Sequence, residues 1–200
     1  MTGVGDMKKF AGLVLLVIVS SCVYAGPFGL EMGWKLSDLD AAGIQYEETS
    51  RSGDIIKYKV NPAKPHSSFT TYVVGIDKIE GIYDITAITD VINDSDLGTK
   101  TKELYAKIRD QLALSYGKQE EFDFLQYGSI WKDVDDWMFG LYKGDRILMS
   151  YWQLKRSDLD VVVFEAVGIS STSSLLRLGY QSPKAGEVID RMHAKEASVF

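Results

Sequence analysis

The sequence predicts a single α+β domain, with a mainly antiparallel sheet of about six strands and two or three packed helices. Three observations support this fold class. Strand-like segments follow one another in runs, polar turn residues separate them, and helical spacing of apolar residues is confined to a few segments. A doubly wound α/β fold would instead alternate strand and helix along the chain.

The composition is that of a globular protein. The chain has 200 residues, of which 46% are hydrophobic and 25% are charged. A chain of this size buries roughly 70% of its extended surface, so one core can form without disulfides or metals. The net charge is -6, with 22 basic against 28 acidic residues, whereas nucleic-acid-binding proteins concentrate Lys and Arg. We therefore expect no nucleic-acid partner.

The first 25 residues have the pattern of a secretory signal peptide. Lys8 and Lys9 precede an apolar run at 10–19 that is too short to span a bilayer comfortably, and Met7 is an alternative start. Cleavage after Ala25 would release a periplasmic or secreted domain comprising residues 26–200. Lipidation of Cys22 would instead anchor the protein to a membrane, and an uncleaved anchor is the third interpretation.

The first half of the mature chain predicts one short helix followed by strands. Ser37 can cap a helix over 38–42 that ends at Gly43. Alternating apolar residues and a high content of Thr, Val, Ile and Tyr indicate strands, and Gly81 lies in the turn between the last two. The predicted strands cover 56–60, 69–76 and 82–92.

The second half predicts the clearest helix and a three-stranded meander. Leu104, Ile108 and Leu112 recur at helical spacing, which predicts a helix over 99–116. A shorter helix is expected over 134–142, and a C-terminal helix should begin at Pro183, which follows Ser182. The predicted strands cover 146–152, 159–169 and 175–181.

The sequence indicates no catalytic, cofactor-binding or metal-binding residues. Its two histidines, His66 and His193, lack a neighbouring ligand or nucleophile motif. The acidic segments at 93–96 and 133–136 miss the ligand positions of an EF-hand. A pair of carboxylates assembled by the fold would leave no such pattern, so a secreted hydrolase remains one alternative.

Trp131 is the candidate anchor for a protein partner. Of the four tryptophans, Trp137 and Trp152 fall in apolar patterns that predict burial, whereas Trp131 is flanked by Ser129 and Lys132. The nearby Asp133, Asp135 and Asp136 could steer a basic partner toward it, although capping and solvation also explain acidic residues in such a segment.

Short motifs resemble a class of small exported bacterial proteins. These motifs are Phe28-Gly29-Leu30, Gly33, Ser37-Asp38-Leu39, Trp131, Trp137-Met138, Gly140-Leu141, Arg146, Leu148 and Ser198-Val199-Phe200. The opening motifs are also similar to those of SmpA/OmlA-type lipoproteins and β-lactamase-inhibitor-like domains. This chain is longer than the SmpA/OmlA type and lacks a strong lipobox. The resemblance implies a periplasmic α+β domain and no catalytic residues.

We expect an exported, non-catalytic binding module whose partner is an unidentified protein of the cell envelope. One alternative is an acidic inhibitor of a basic exported enzyme, such as a lysozyme-like hydrolase. The other is the secreted hydrolase with a carboxylate site. No cofactor is expected, and membrane contact is expected only if Cys22 is lipidated.

Overall fold

The computed structural model describes residues 26–197, which form one α+β domain with an antiparallel sheet. The predicted signal peptide and Cys22 lie outside the described residues. No helix of the described part combines the length and the apolar character that crossing a membrane requires.

The domain contains four α-helices and nine strands among the described residues. The helices are α1 (Leu36–Ala41), α2 (Thr99–Tyr116), α3 (Trp137–Lys143) and α4 (Ala185–Ala197). The strands are β1 (Tyr46–Ser52), β2 (Ile55–Val60), β3 (Thr71–Asp77), β4 (Gly81–Ile88), β5 (Ile92–Asn93), β6 (Glu120–Leu125), β7 (Arg146–Gln153), β8 (Val161–Ser170) and β9 (Ser173–Gln181). Short 3-10 helices occupy Pro27–Gly29 and Val134–Asp136.

Two four-stranded meanders join edge to edge to form the sheet. The spatial order is β1-β2-β3-β4-β9-β8-β7-β6, and β5 pairs with β9 beside this path. Strands β4 and β9 join the two meanders, with Thr86 opposite Gly179. Strands β1 and β6 are the two edges of the sheet.

One face of the sheet carries the main core. Helices α1, α2 and α3 contribute buried side chains that pack against alternate residues of the strands, such as Val74, Ile85, Phe164 and Leu178. A hydrogen bond of 2.7 Å joins the side-chain oxygens of Tyr105 and Ser150 and so fastens α2 to β7. We call this side of the sheet the core face.

Helix α3 approaches the sheet most closely at Gly168 of β8. A Cβ atom at this position would lie 2.5 Å from Tyr142 Cα and 2.7 Å from the Leu141 carbonyl carbon. Glycine therefore permits contact between the backbone of α3 and the backbone of β8.

Several predicted elements are confirmed. Helix α2 has the predicted bounds, β3 and β4 are antiparallel neighbours, and β7, β8 and β9 form the predicted meander. Gly144 ends α3 as predicted, in the left-handed conformation with a φ of 77°. Trp137 and Trp152 are buried in the core.

The sheet has more strands than the predicted six, and the four helices exceed the predicted two or three. Strand β1 was missed because its side chains are almost all exposed, which removes the alternation of apolar and polar residues. Strand β6 is an acidic edge strand, and β5 has only two residues. The predicted strand at 82–92 is divided between β4 and β5, and the predicted helix at 134–142 begins as a 3-10 turn.

Candidate functional site

The second face of the sheet is largely uncovered in the described part of the chain. Helix α4 is the helix that packs on it, at one corner, where Ile55, Tyr83 and Val188 form a small separate cluster. We call the remainder the open face. Its central residues are Lys57, Val73, Asp84, Thr86, Ile88, Val163, Glu165, Arg177, Gly179 and Gln181.

A groove runs over the open face. Its volume is about 540 Å³, and side chains of β1, β2, β3, β4, β9 and β8 line it. A second hollow of about 500 Å³ lies where α4 meets the sheet, and it shares Lys57, Asp84 and Gln181 with the first. The groove therefore continues from the middle of the sheet to the side of α4.

Aliphatic side chains and glycine form the floor of the groove. Val73, Ile88 and Val163 are half-buried on the open face. Gly179 lies between the strands that carry them, and the atom nearest to a Cβ at this position would be the Val163 carbonyl oxygen, 4.0 Å away. The space above Gly179 is thus open to an incoming side chain.

Charged side chains on the open face are partly paired. Arg177 and Glu165 form an ion pair of 2.6 Å across β9 and β8. The Asp84 carboxylate accepts a hydrogen bond of 3.2 Å from the Thr86 hydroxyl. Burial raises the pKa of Asp84, although the Thr86 hydrogen bond and the positive charges of Lys57 and Arg177 act in the opposite direction.

Asp84→Asn should change the pH dependence of stability. Below pH 3.8, the ordinary pKa of Asp84, the carboxyl is protonated in both the folded and the unfolded chain, so its charge contributes nothing. As the pH rises through the raised folded pKa, ionised Asp84 destabilises the fold. The free energy of unfolding of the wild type should therefore fall relative to that of Asp84→Asn as the pH rises from about 4 toward neutrality.

Urea unfolding at several pH values measures this difference. The matched control is Asp190→Asn, because Asp190 is an exposed residue of α4. A difference between wild type and Asp84→Asn that is constant over this pH range, or that matches the control, would contradict the expected role of burial.

The predicted anchor Trp131 is half-buried and does not line the groove. Its ring packs on Phe139 of α3 with a centroid distance of 4.2 Å, and α3 lies on the core face of the sheet. Asp133 and Asp136 form a capping box around the 3-10 turn that leads into α3. Asp133 and Asp135 are exposed, and Asp136 is half-buried. Asp133 and Asp136 therefore cap this turn, and the turn orients the start of α3.

Exposed apolar residues are frequent in the stretch of sequence around this segment. Phe124, Tyr127, Ile130, Val134 and Tyr142 are half of the ten large hydrophobic residues that are exposed in the described chain. We call these five residues the 124–142 patch. Sequence reasoning singled out Trp131 in this region and missed its more exposed neighbours.

Two carboxylates, Asp84 and Glu165, line the groove of the open face. Asp84 and Glu165 are two strands apart and four residues out of step, which places their Cα atoms about 16 Å apart by ordinary sheet spacing. Within residues 26–197, no three His, Cys, Asp or Glu side chains are grouped so that they could hold a metal ion.

Comparison with known proteins found no matching protein family, no matching curated protein and no matching solved structure.

Proposed function

We propose that this protein is an exported, non-catalytic binding module that holds a protein partner on its open face. The observation that carries the proposal is the groove on the side of the sheet opposite the main core. Half-buried aliphatic side chains with charged groups around them match the arrangement of an apolar core and a polar rim in a protein interface.

The dimensions of the open face suit a folded protein. Eight strands spaced about 4.8 Å apart span about 34 Å, and four rows of outward side chains cover about 20 Å along the strands. This side of the sheet, including the corner that α4 covers, therefore measures about 700 Å², and a standard interface takes roughly 800 Å² from each partner. A small molecule would instead favour an enclosed pocket.

The paired charges of the open face would orient the partner. Arg177 and Glu165 lie beside the aliphatic floor, and Lys57 and Asp84 lie at its α4 side. Binding would bury these groups, so a partner with complementary charges is favoured over one that leaves them unpaired.

Photo-crosslinking in the native cells tests this proposal. A benzophenone amino acid at Val163 should form a discrete covalent adduct with one protein. The same amino acid at Lys107, which is exposed on α2, should form none. Equal adducts at both positions, or none at Val163, would contradict binding on the open face.

The acidic-inhibitor alternative is favoured by a different observation: Tyr127, Ile130 and Val134 of the 124–142 patch are exposed and are close in sequence to the exposed Asp133 and Asp135. A third crosslinking position at Ile130 distinguishes the two hypotheses. An adduct with a basic hydrolase at Ile130, and none at Val163, would support the inhibitor and reject the open face.

A further inference from the structure

Strand β6 is an edge strand with a regular hydrogen-bonding pattern. All six of its residues pair with β7 without a register shift, and no strand of the described chain pairs with its other side. The opposite edge, β1, differs because a bulge between Glu48 and Ser50 interrupts its pairing. A bulge protects an edge from further pairing, and β6 has none.

The register of β6 identifies the backbone groups that point outward. The backbone amide of Gln126 donates a hydrogen bond of 2.7 Å to the backbone carbonyl of Asp145. This pair is next to Leu125 and Arg146, which lie opposite each other in the two strands. Hydrogen-bonded and non-hydrogen-bonded pairs alternate in an antiparallel ladder. The amides and carbonyls of Glu121, Asp123 and Leu125 therefore point away from β7, toward the free side of the edge.

The side chains of β6 differ between the two faces. Glu121 and Asp123 lie on the core-face side, where they contact Arg109 at 2.8 Å and Arg146 at 3.4 Å. The two arginines lie inward and are more buried than the carboxylates. Phe122 and Phe124 alternate with these acids and therefore lie on the open face.

We propose that β6 receives an extended segment of a protein partner as an added antiparallel strand, in which basic residues alternate with apolar residues. The basic side chains would lie opposite Glu121 and Asp123, and the apolar ones opposite Phe122 and Phe124, because opposed residues of an antiparallel pair share a face. The proposal rests on the proposed function, since the added strand would widen the same open face.

A second copy of this chain fits the edge poorly. Suppose that a two-fold axis relates two β6 strands and that the helices of both copies lie on the same side of the joined sheet. Odd-numbered residues of one strand then lie opposite odd-numbered residues of the other. When the two strands overlap along most of their length, the carboxylate of Glu121 or Asp123 in one copy lies opposite the carboxylate of Glu121 or Asp123 in the other copy. Like charges directly opposite each other destabilise a strand pair, so charge complementarity favours a basic segment.

A blocked nine-residue peptide that alternates lysine and valine is the probe. Its binding to the full domain should slow the hydrogen exchange of the Glu121, Asp123 and Leu125 amides, measured by NMR. A peptide that alternates glutamate and valine should bind at least about tenfold more weakly, because its charges oppose those of the edge.

Two variants of Asp123 separate the backbone from the charge. Asp123→Pro removes an outward amide that β7 does not use, and proline is compatible with such a position in an edge strand. Asp123→Ala removes the same carboxylate but keeps the amide. The peptide should bind Asp123→Pro about three- to tenfold more weakly than Asp123→Ala, as expected for one lost hydrogen bond.

Equal affinity of the two variants, protection of amides elsewhere, or no binding of the lysine–valine peptide would overturn the proposal. So would self-association through β6 that displaces the peptide. If Asp123→Pro fails to fold, the proposal is judged by whether the peptide slows the hydrogen exchange of the Glu121, Asp123 and Leu125 amides in the wild type. If the peptide binds but Val163 forms no adduct, only the proposed function is rejected. If Val163 forms its adduct but the peptide does not bind, only the added strand is rejected.

Discussion

Gly168→Ala is expected to destabilise the domain by about 2 to 3 kcal/mol, because the new methyl group would overlap the backbone of α3. A Cβ at this position falls 2.5 Å from Tyr142 Cα and 2.7 Å from the Leu141 carbonyl carbon. Backbone atoms cannot rotate away as a side chain can. Helix α3 would therefore have to move off the sheet and loosen the packing of Met138 and Leu141.

Gly179→Ala is the matched control. Gly179 lies in β9, which pairs with β8, but it faces the open groove, where the nearest atom would be 4.0 Å from the new Cβ. We expect a change within about 0.5 kcal/mol. Urea unfolding followed by tryptophan fluorescence measures both variants. Equal destabilisation at the two positions would show that glycine flexibility, rather than the approach of α3, determines the effect.

Asp77→Ala is expected to destabilise the domain by about 2 to 3 kcal/mol, because several donors would lose one buried acceptor. Asp77 is 3% exposed. Its carboxylate accepts hydrogen bonds from the Ile79 amide at 3.0 Å, the Glu80 amide at 2.8 Å and the Arg191 guanidinium at 2.9 Å. Arg191 is partly exposed and can be hydrated when its partner is removed, which limits the loss.

The same substitution should loosen α4, because Arg191 fastens this helix to the turn between β3 and β4. Hydrogen exchange at Val188 should become faster in Asp77→Ala. Asp54→Ala is the comparison, since the ion pair of Asp54 with Lys195 is exposed and should contribute less than about 1 kcal/mol. A loss in Asp54→Ala as large as that in Asp77→Ala would mean that burial of Asp77 is not the cause.

Helices and strands could be predicted from the sequence where apolar residues repeat at one regular spacing throughout a segment. Helix α2 shows helical spacing along 18 residues and ends at a glycine, so both bounds could be predicted. Strand β1 could not be found in this way, because it is recognisable only by its pairing with β2, which the sequence does not display. The same limitation applies to β6, whose carboxylates occupy the core-face side at the rim of the sheet.

The open face could not be predicted, because its central residues come from strands that are distant in the chain. Strand β8 carries apolar residues on both faces, so its pattern does not reveal which side the helices cover. Asp84 and Arg177 become neighbours of one groove only through the pairing of β4 with β9. The Trp131 segment could be singled out from the sequence, because Ser129 and Lys132, which flank this tryptophan, are close to it in the chain.

The junction of the two meanders has a consequence for the order of folding. Within each meander, neighbouring strands follow one another closely along the chain, whereas Thr86 and Gly179 at the junction are separated by roughly ninety positions. Loop closure over that distance is entropically more costly than closure of a hairpin. We therefore expect the centre of the finished sheet to form late, so that two half-sheets with unpaired inner edges precede the native state, and those edges are the sites most exposed to misassembly during folding.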